Sequence, residues 1–154
     1  MGTKADSETK TICRKLAVFL PLFYMLYYLV SIILIGALKV GWQELGRYPF
    51  RISSGEFSPT HSYPALGAWL AMVITYTLSI GLSFCVVKAT RKSWDYIATA
   101  SLLHLILCIA INQAFPVNWV WWVTLLVSIG VLSLASELVT YYLIDLREIK
   151  LDNL

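Results

Sequence analysis

The chain has 154 residues, of which 58% are hydrophobic and 14% charged, roughly half the charge of an ordinary soluble domain. A soluble fold of this size leaves too much surface facing water to hide so many apolar side chains, so the composition points to lipid. The net charge of +3 then reads as membrane topology and not as a nucleic-acid footprint.

The segment Met1 to Lys15 is polar and mixed in charge. The apolar run that follows is too long for the h-region of a cleaved signal peptide, so the first span is expected to remain in place. Gly2 begins an N-myristoylation signal, but Asp6 stands where that signal requires Ser or Thr. Cys13, just before the first span, is a candidate for S-palmitoylation, and Cys85 occupies a similar position at the end of the second. Buried Cys also serves as a plain small hydrophobe.

A spanning helix needs about 20 mostly apolar residues, because backbone polar groups cannot be left unpaired in hydrocarbon. Four segments meet that requirement, at about 16–38, 64–87, 94–114 and 118–143. The first two contain no charge, and Pro21 is expected in the first turns of its helix, where a missing N–H costs little. The third carries Asp95 and His104, and the fourth carries Glu137. The connector Phe115 to Asn118 is so short that the last two helices must form an antiparallel hairpin. The expected fold class is all-α, a polytopic membrane protein built as a four-transmembrane-helix bundle, with residues 1–15 and 145–154 as cytoplasmic segments.

Orientation follows from the Lys and Arg residues. Lys4, Lys10, Arg14, Lys15, Lys88, Arg91, Lys92, Arg147 and Lys150 fall on one side, against Lys39, Arg47 and Arg51 on the other. The positive-inside rule places the larger group, and with it both termini, in the cytoplasm. The luminal side is then the Lys39 to Tyr63 loop, with turn signals at Tyr48-Pro49, Ser54-Gly55 and Ser58-Pro59, plus the short connector. Trp119, Trp121 and Trp122 at the luminal boundary, and Trp94, Tyr96, Tyr141 and Tyr142 at the cytoplasmic one, read as interfacial anchors.

Ala71, Thr75, Ser79 and Ser83 recur at i, i+4 on the second span and form a stripe of small side chains, which reads as a packing face. Gly130, Ser133 and Glu137 on the fourth span read the same way. Counted from the turn at Pro116, Glu137 and Asp95 lie at the same depth, the cytoplasmic boundary, where Lys88, Arg91 and Lys92 can meet them. The expectation is an ion cluster of Asp95 and Glu137 that clamps the hairpin. His104 lies deeper and on the opposite helix face, which suits an interhelical hydrogen bond better than a proton relay. The two His and three Cys fall at no metal-ligand or disulfide-framework spacing, and no cofactor is expected. No nucleophile and base are paired on either face, so an enzyme is the weakest functional class. A small transporter or channel is the competing one, motivated by His104, the polar stripe and Asn112-Gln113.

The basic loop with Trp94-Asp95-Tyr96, then Leu103-His104-Leu105 with Cys108, Phe115-Pro116, Trp121-Trp122, Glu137 and Leu146 to Leu151 form an ordered set. In that order and spacing the chain resembles the Sys family of Golgi integral membrane proteins over residues 88–151. In the first half, Tyr27-Tyr28 is similar. The resemblance implies a four-span Golgi protein that acts in endosome-to-Golgi traffic as a receptor or docking site for an Arf-related small GTPase. The accessible positions that would meet such a partner are Lys88, Arg91 and Lys92 in the loop and Leu146, Arg147, Glu148, Ile149 and Leu151 in the tail. The same basic residues also attract anionic lipid.

Overall fold

The computed structural model describes residues 4–87, 93–140 and 142. Among them the chain is all-helical, with α1 at Lys4–Ala37, a 3-10 helix at Trp42–Phe50, α2 at Tyr63–Val87, α3 at Ser93–Asn112 and α4 at Trp119–Thr140. Two stretches, Lys10–Ala37 and Tyr63–Ser83, are long and apolar enough to cross a membrane, while Ile97–Asn112 and Trp119–Ala135 are shorter apolar helices.

The start of α1 corrects the expectation from sequence. The helix begins at Lys4 and not near Leu16, so Pro21 lies in its interior and not in its first turns. In the sequence Asp6 precedes Lys10 by four residues, an acid-then-base spacing that supports helix in the polar stretch. Pro21 removes one hydrogen bond from the ladder, which a long helix packed among others tolerates. With 34 residues, α1 is about 50 Å long, well beyond the ~30 Å of a bilayer's hydrocarbon.

The C-terminus of α1 is closed by backbone geometry. Lys39 takes a φ of 53°, and the Val40 N–H donates to the Ile35 carbonyl at 3.0 Å while the Lys39 N–H donates to the Gly36 carbonyl at 3.4 Å. These are the paired bonds of a Schellman cap, which absorb carbonyls that the helix end would otherwise leave unpaired. The left-handed residue turns the chain out of the helix and into the 3-10 segment.

Helix α1 packs on α2, α2 on α4 and α4 on α3, and the 3-10 helix lies against α1, α2 and α3. The α2 stripe is an inward packing face, with Ala71, Thr75, Ser79 and Ser83 all buried. The Ser79 hydroxyl donates to the Thr75 carbonyl at 2.7 Å, so that polar atom is satisfied within its own helix. On α4 the corresponding expectation fails at Gly130, which is exposed and where a built Cβ would meet nothing within 4 Å, while Ser133 is half-buried and the Glu137 side chain lies outside the described residues. Trp121, Leu125 and Leu132 occupy the inward face of α4 instead. All four α-helices carry large apolar side chains on the outside, among them Met25, Ile33, Leu78, Leu102, Leu126 and Leu134.

Candidate functional site

Helical periodicity aims Ile97, Ser101, His104 and Cys108 of α3 into the bundle, and all four are buried. His104 is fully enclosed. Its ring lies 5.7 Å from that of Tyr27 and 6.1 Å from that of Tyr24, both on α1. It also stacks on Phe50 of the 3-10 helix at 6.1 Å and on Trp121 of α4 at 6.4 Å. Rings from α1, the 3-10 helix and α4 therefore converge on one imidazole of α3. The Tyr24 hydroxyl is hydrogen-bonded with His104 Nδ1 at 3.2 Å, and the Cys108 Sγ sits 3.6 Å from Nε2. An imidazole with one N–H has one donor and one acceptor, and a hydroxyl and a thiol can each take either part, so both ring nitrogens are served in either tautomer. The Tyr76 hydroxyl of α2 donates to Ser101 of α3 at 3.4 Å, which ties the remaining helix to the same centre.

The segment between α1 and α2 is a folded lid. Tyr48, Pro49, Phe50, Arg51, Ile52 and Phe57 are buried. The Tyr48 hydroxyl and Arg51 Nη1 both donate to the Pro64 carbonyl, at 3.2 and 3.4 Å. Arg51 also pairs with Glu44 and lies over the Tyr48 ring, 4.9 Å from its centroid, so a buried guanidinium has a carboxylate, a carbonyl and a π-face around it. Burial pushes the Tyr48 phenol up, partly opposed by Arg51, so the hydroxyl keeps its proton and remains a donor. Gly67 is required beneath this cluster, because a Cβ there would overlap the Tyr48 hydroxyl.

Two asparagines of the hairpin hold the lid from the other side. Asn112 Nδ2 donates to the Phe50 carbonyl at 2.6 Å, and Asn118 Nδ2 donates to the Phe57 carbonyl at 2.7 Å. Asn118 Oδ1 accepts from the Val120 N–H at 3.1 Å, which caps the start of α4. Sequence reasoning missed this role. The available signal was a run of turn residues beside buried-type aromatics at 48–57, opposite Asn112 and Asn118 at the turn of the hairpin.

The aromatic-belt expectation separates residue by residue. Trp119 is 73% exposed and suits an interface, whereas Trp121 is 1% exposed and belongs to the core. Trp121 stacks on His104, so its reading as an anchor is corrected. Trp122 is half-buried, and its Nε1 donates to the Pro116 carbonyl at 2.8 Å, tying the helix to the connector. Cys13 and Cys85 are exposed and Cys108 is buried.

The expected partner contacts Lys88, Arg91, Lys92, Leu146, Arg147, Glu148, Ile149 and Leu151 lie outside the described residues. Asp95 and Glu137 sit in α3 and α4, but their side chains also lie outside the description, and with them the expected ion cluster. Among the described residues, no three His, Cys, Asp or Glu side chains gather as a metal site would need. The His104 centre is thus equipped to fix how four helices meet, with its polar atoms paired and no water-facing reactive group.

A family model described as "SYS1: Integral membrane protein S linking to the trans Golgi network" matches residues 4–151. The match extends the similarity through the first half of the chain, beyond the 88–151 segment that carries most of the resemblance in sequence. A curated relative, "Protein SYS1 homolog" of Nematostella vectensis, is 30% identical over 54 residues, 35% of this chain and 34% of the relative. The alignment thus spans about a third of that relative's length. No solved structure matches.

Proposed function

The chain belongs to the SYS1 family of integral membrane proteins, and from that premise we propose that it is a four-span protein of the Golgi membrane, with both termini cytoplasmic, that serves endosome-to-Golgi traffic by docking an Arf-related small GTPase. The observation that carries this reading is the family match over residues 4–151, whose description links the family to the trans Golgi network. The outward Leu102, Leu126 and Leu134 of α3 and α4 support a bilayer position for the hairpin, since water would disfavour that surface.

The interior argues for docking over transport. His104, the polar residue that would mark a solute path, is stacked among aromatic rings, and the luminal end above it is closed by Phe50 and the Arg51 cluster. A protein closed in this way works at its ends. On the cytoplasmic side those ends are the loop with Lys88, Arg91 and Lys92 and the tail from Leu146 to Leu151, which would form the GTPase contact.

Replacing Leu146 to Leu151 by a Gly/Ser stretch is expected to abolish Golgi recruitment of the GTPase while membrane insertion is unchanged, as read by imaging and carbonate extraction. Recruitment that persists in cells lacking the native copy would remove the tail from the contact. Solute flux in proteoliposomes that His104→Ala eliminates would instead favour a transporter.

A further inference from the structure

A cleft of about 360 Å³ runs between α2 and α4, walled by Val73 and Ile80 on one side and Val127, Val131 and Leu132 on the other. It forms because the two helices are held together at its luminal end, where Trp69 Nε1 donates to the Thr124 hydroxyl at 3.0 Å, while short side chains such as Ser128 leave the space beyond unfilled. We infer that the α2–α4 cleft is a binding site for one hydrocarbon chain of a bilayer lipid. The inference rests on α4 lying in the bilayer beside α2, as the four-span reading has it.

Two observations select this occupant. The cleft is continuous with the outer apolar surface, since Val123, Val127 and Val131 at its mouth and the neighbouring Leu78 and Leu126 are all largely exposed. In an integral membrane protein that surface is covered by acyl chains, and a groove opening onto it fills from the same source. The hydrogen-bonding side chains in its walls, Ser128 excepted, are also engaged. Thr77 donates to the Val73 carbonyl at 2.8 Å, Thr124 to the Val120 carbonyl at 2.7 Å, Trp69 to Thr124 and Tyr76 to Ser101. Among the described residues, none that lines the cleft is charged. Among those residues a headgroup would find no counter-charge and a sterol hydroxyl only the small Ser128 hydroxyl uncommitted, whereas a flexible hydrocarbon chain needs only shape and dispersion contact.

The test uses the full chain in phosphatidylcholine proteoliposomes doped with a phosphatidylcholine that carries a diazirine on its acyl chain, with labelled residues mapped by mass spectrometry. Val127 to Val131 are expected to label several-fold above Leu102 and Ile106, which face outward on α3 and do not line this cleft. Ser128→Trp, which fills the cleft, is expected to lower that excess to the α3 level, and Val131→Phe, which narrows the mouth, provides a second variant if the first fails to fold. Equal labelling of cleft and α3 positions in the unaltered protein, or an excess that survives both folded variants, overturns the site. Absence of label on α3 as well as α4 overturns the four-span reading with it. Preferential labelling by a photoreactive sterol that excess phospholipid does not displace overturns the choice of occupant.

Discussion

His104 is held by two kinds of interaction whose magnitudes differ. Its hydrogen bond with Tyr24 crosses between helices inside the bundle, where such bonds average about 0.6 kcal/mol because the separated helices find other partners. Its ring fills space among Tyr27, Phe50 and Trp121, and deleting a buried ring of that size leaves a cavity that costs about 3 kcal/mol or more. Ring packing should therefore outweigh the hydrogen bond. His104→Ala is expected to destabilise the protein by about 3 kcal/mol, and His104→Phe by only about 1 kcal/mol, the share of the Tyr24 hydroxyl left without its partner. Thermal unfolding in a mild detergent reads both, and equal losses would place the stabilising role in the hydrogen bonds instead. The importance of His104 was legible in the sequence, since an ionisable residue inside an apolar span demands an explanation. Its surroundings were not. Tyr24, Tyr27, Phe50 and Trp121 come from three separate segments, and no spacing along the chain brings them together.

At the scale of elements, the ends of the helices decide more than their middles. The cap of α1 places Lys39 at a φ of 53°, a conformation that costs a residue with a Cβ about 1 kcal/mol relative to Gly. Lys39→Gly is expected to raise stability by about 0.5–1 kcal/mol, less whatever the added freedom of the unfolded chain takes back. A loss in denaturant or thermal titration would mean that the Lys39 side chain contributes more than its backbone costs. The middles of the spans followed from composition, because about 20 apolar residues in a row have few alternatives to helix in lipid. The Lys4 start of α1 did not, because a polar segment beyond the membrane can be helix or coil on the same composition. The 3-10 helix Trp42–Phe50 was equally hidden, since its turn signals describe a loop while its order comes from Asn112 and Asn118 across the fold.

For the whole molecule, orientation follows from charge and is open to a direct chemical test. Cys13 is exposed on the polar end of α1, and Ser54 is exposed in the segment on the opposite side of the first span. In sealed Golgi vesicles with the cytoplasmic face outward, a membrane-impermeant maleimide is expected to modify Cys13 directly, and to modify a Ser54→Cys variant only after detergent is added. The reverse pattern would invert the topology and move the lid to the cytoplasm. In the expected orientation the two faces are unlike. The end sealed by buried Arg51, Tyr48 and Phe50 is then the luminal one, and the basic loop and tail are expected at the other.

By itself the sequence determined that the protein belongs in a membrane as apolar helices and which family it resembles, and it supplied the expected spans and orientation from run length and charge. These are properties of composition, local run length and residue order, so they survive without knowledge of contacts. Only the tertiary structure decided that Trp121 is core and Trp119 surface, that Gly130 faces outward on α4, and that the loop between α1 and α2 is a lid. In a span apolar on every side, hydrophobic periodicity no longer separates inside from outside, because lipid accepts the same side chains as the core. Rotation of each helix about its axis is then chosen by interdigitation and by a few interhelical hydrogen bonds, and those exist only once the helices have met.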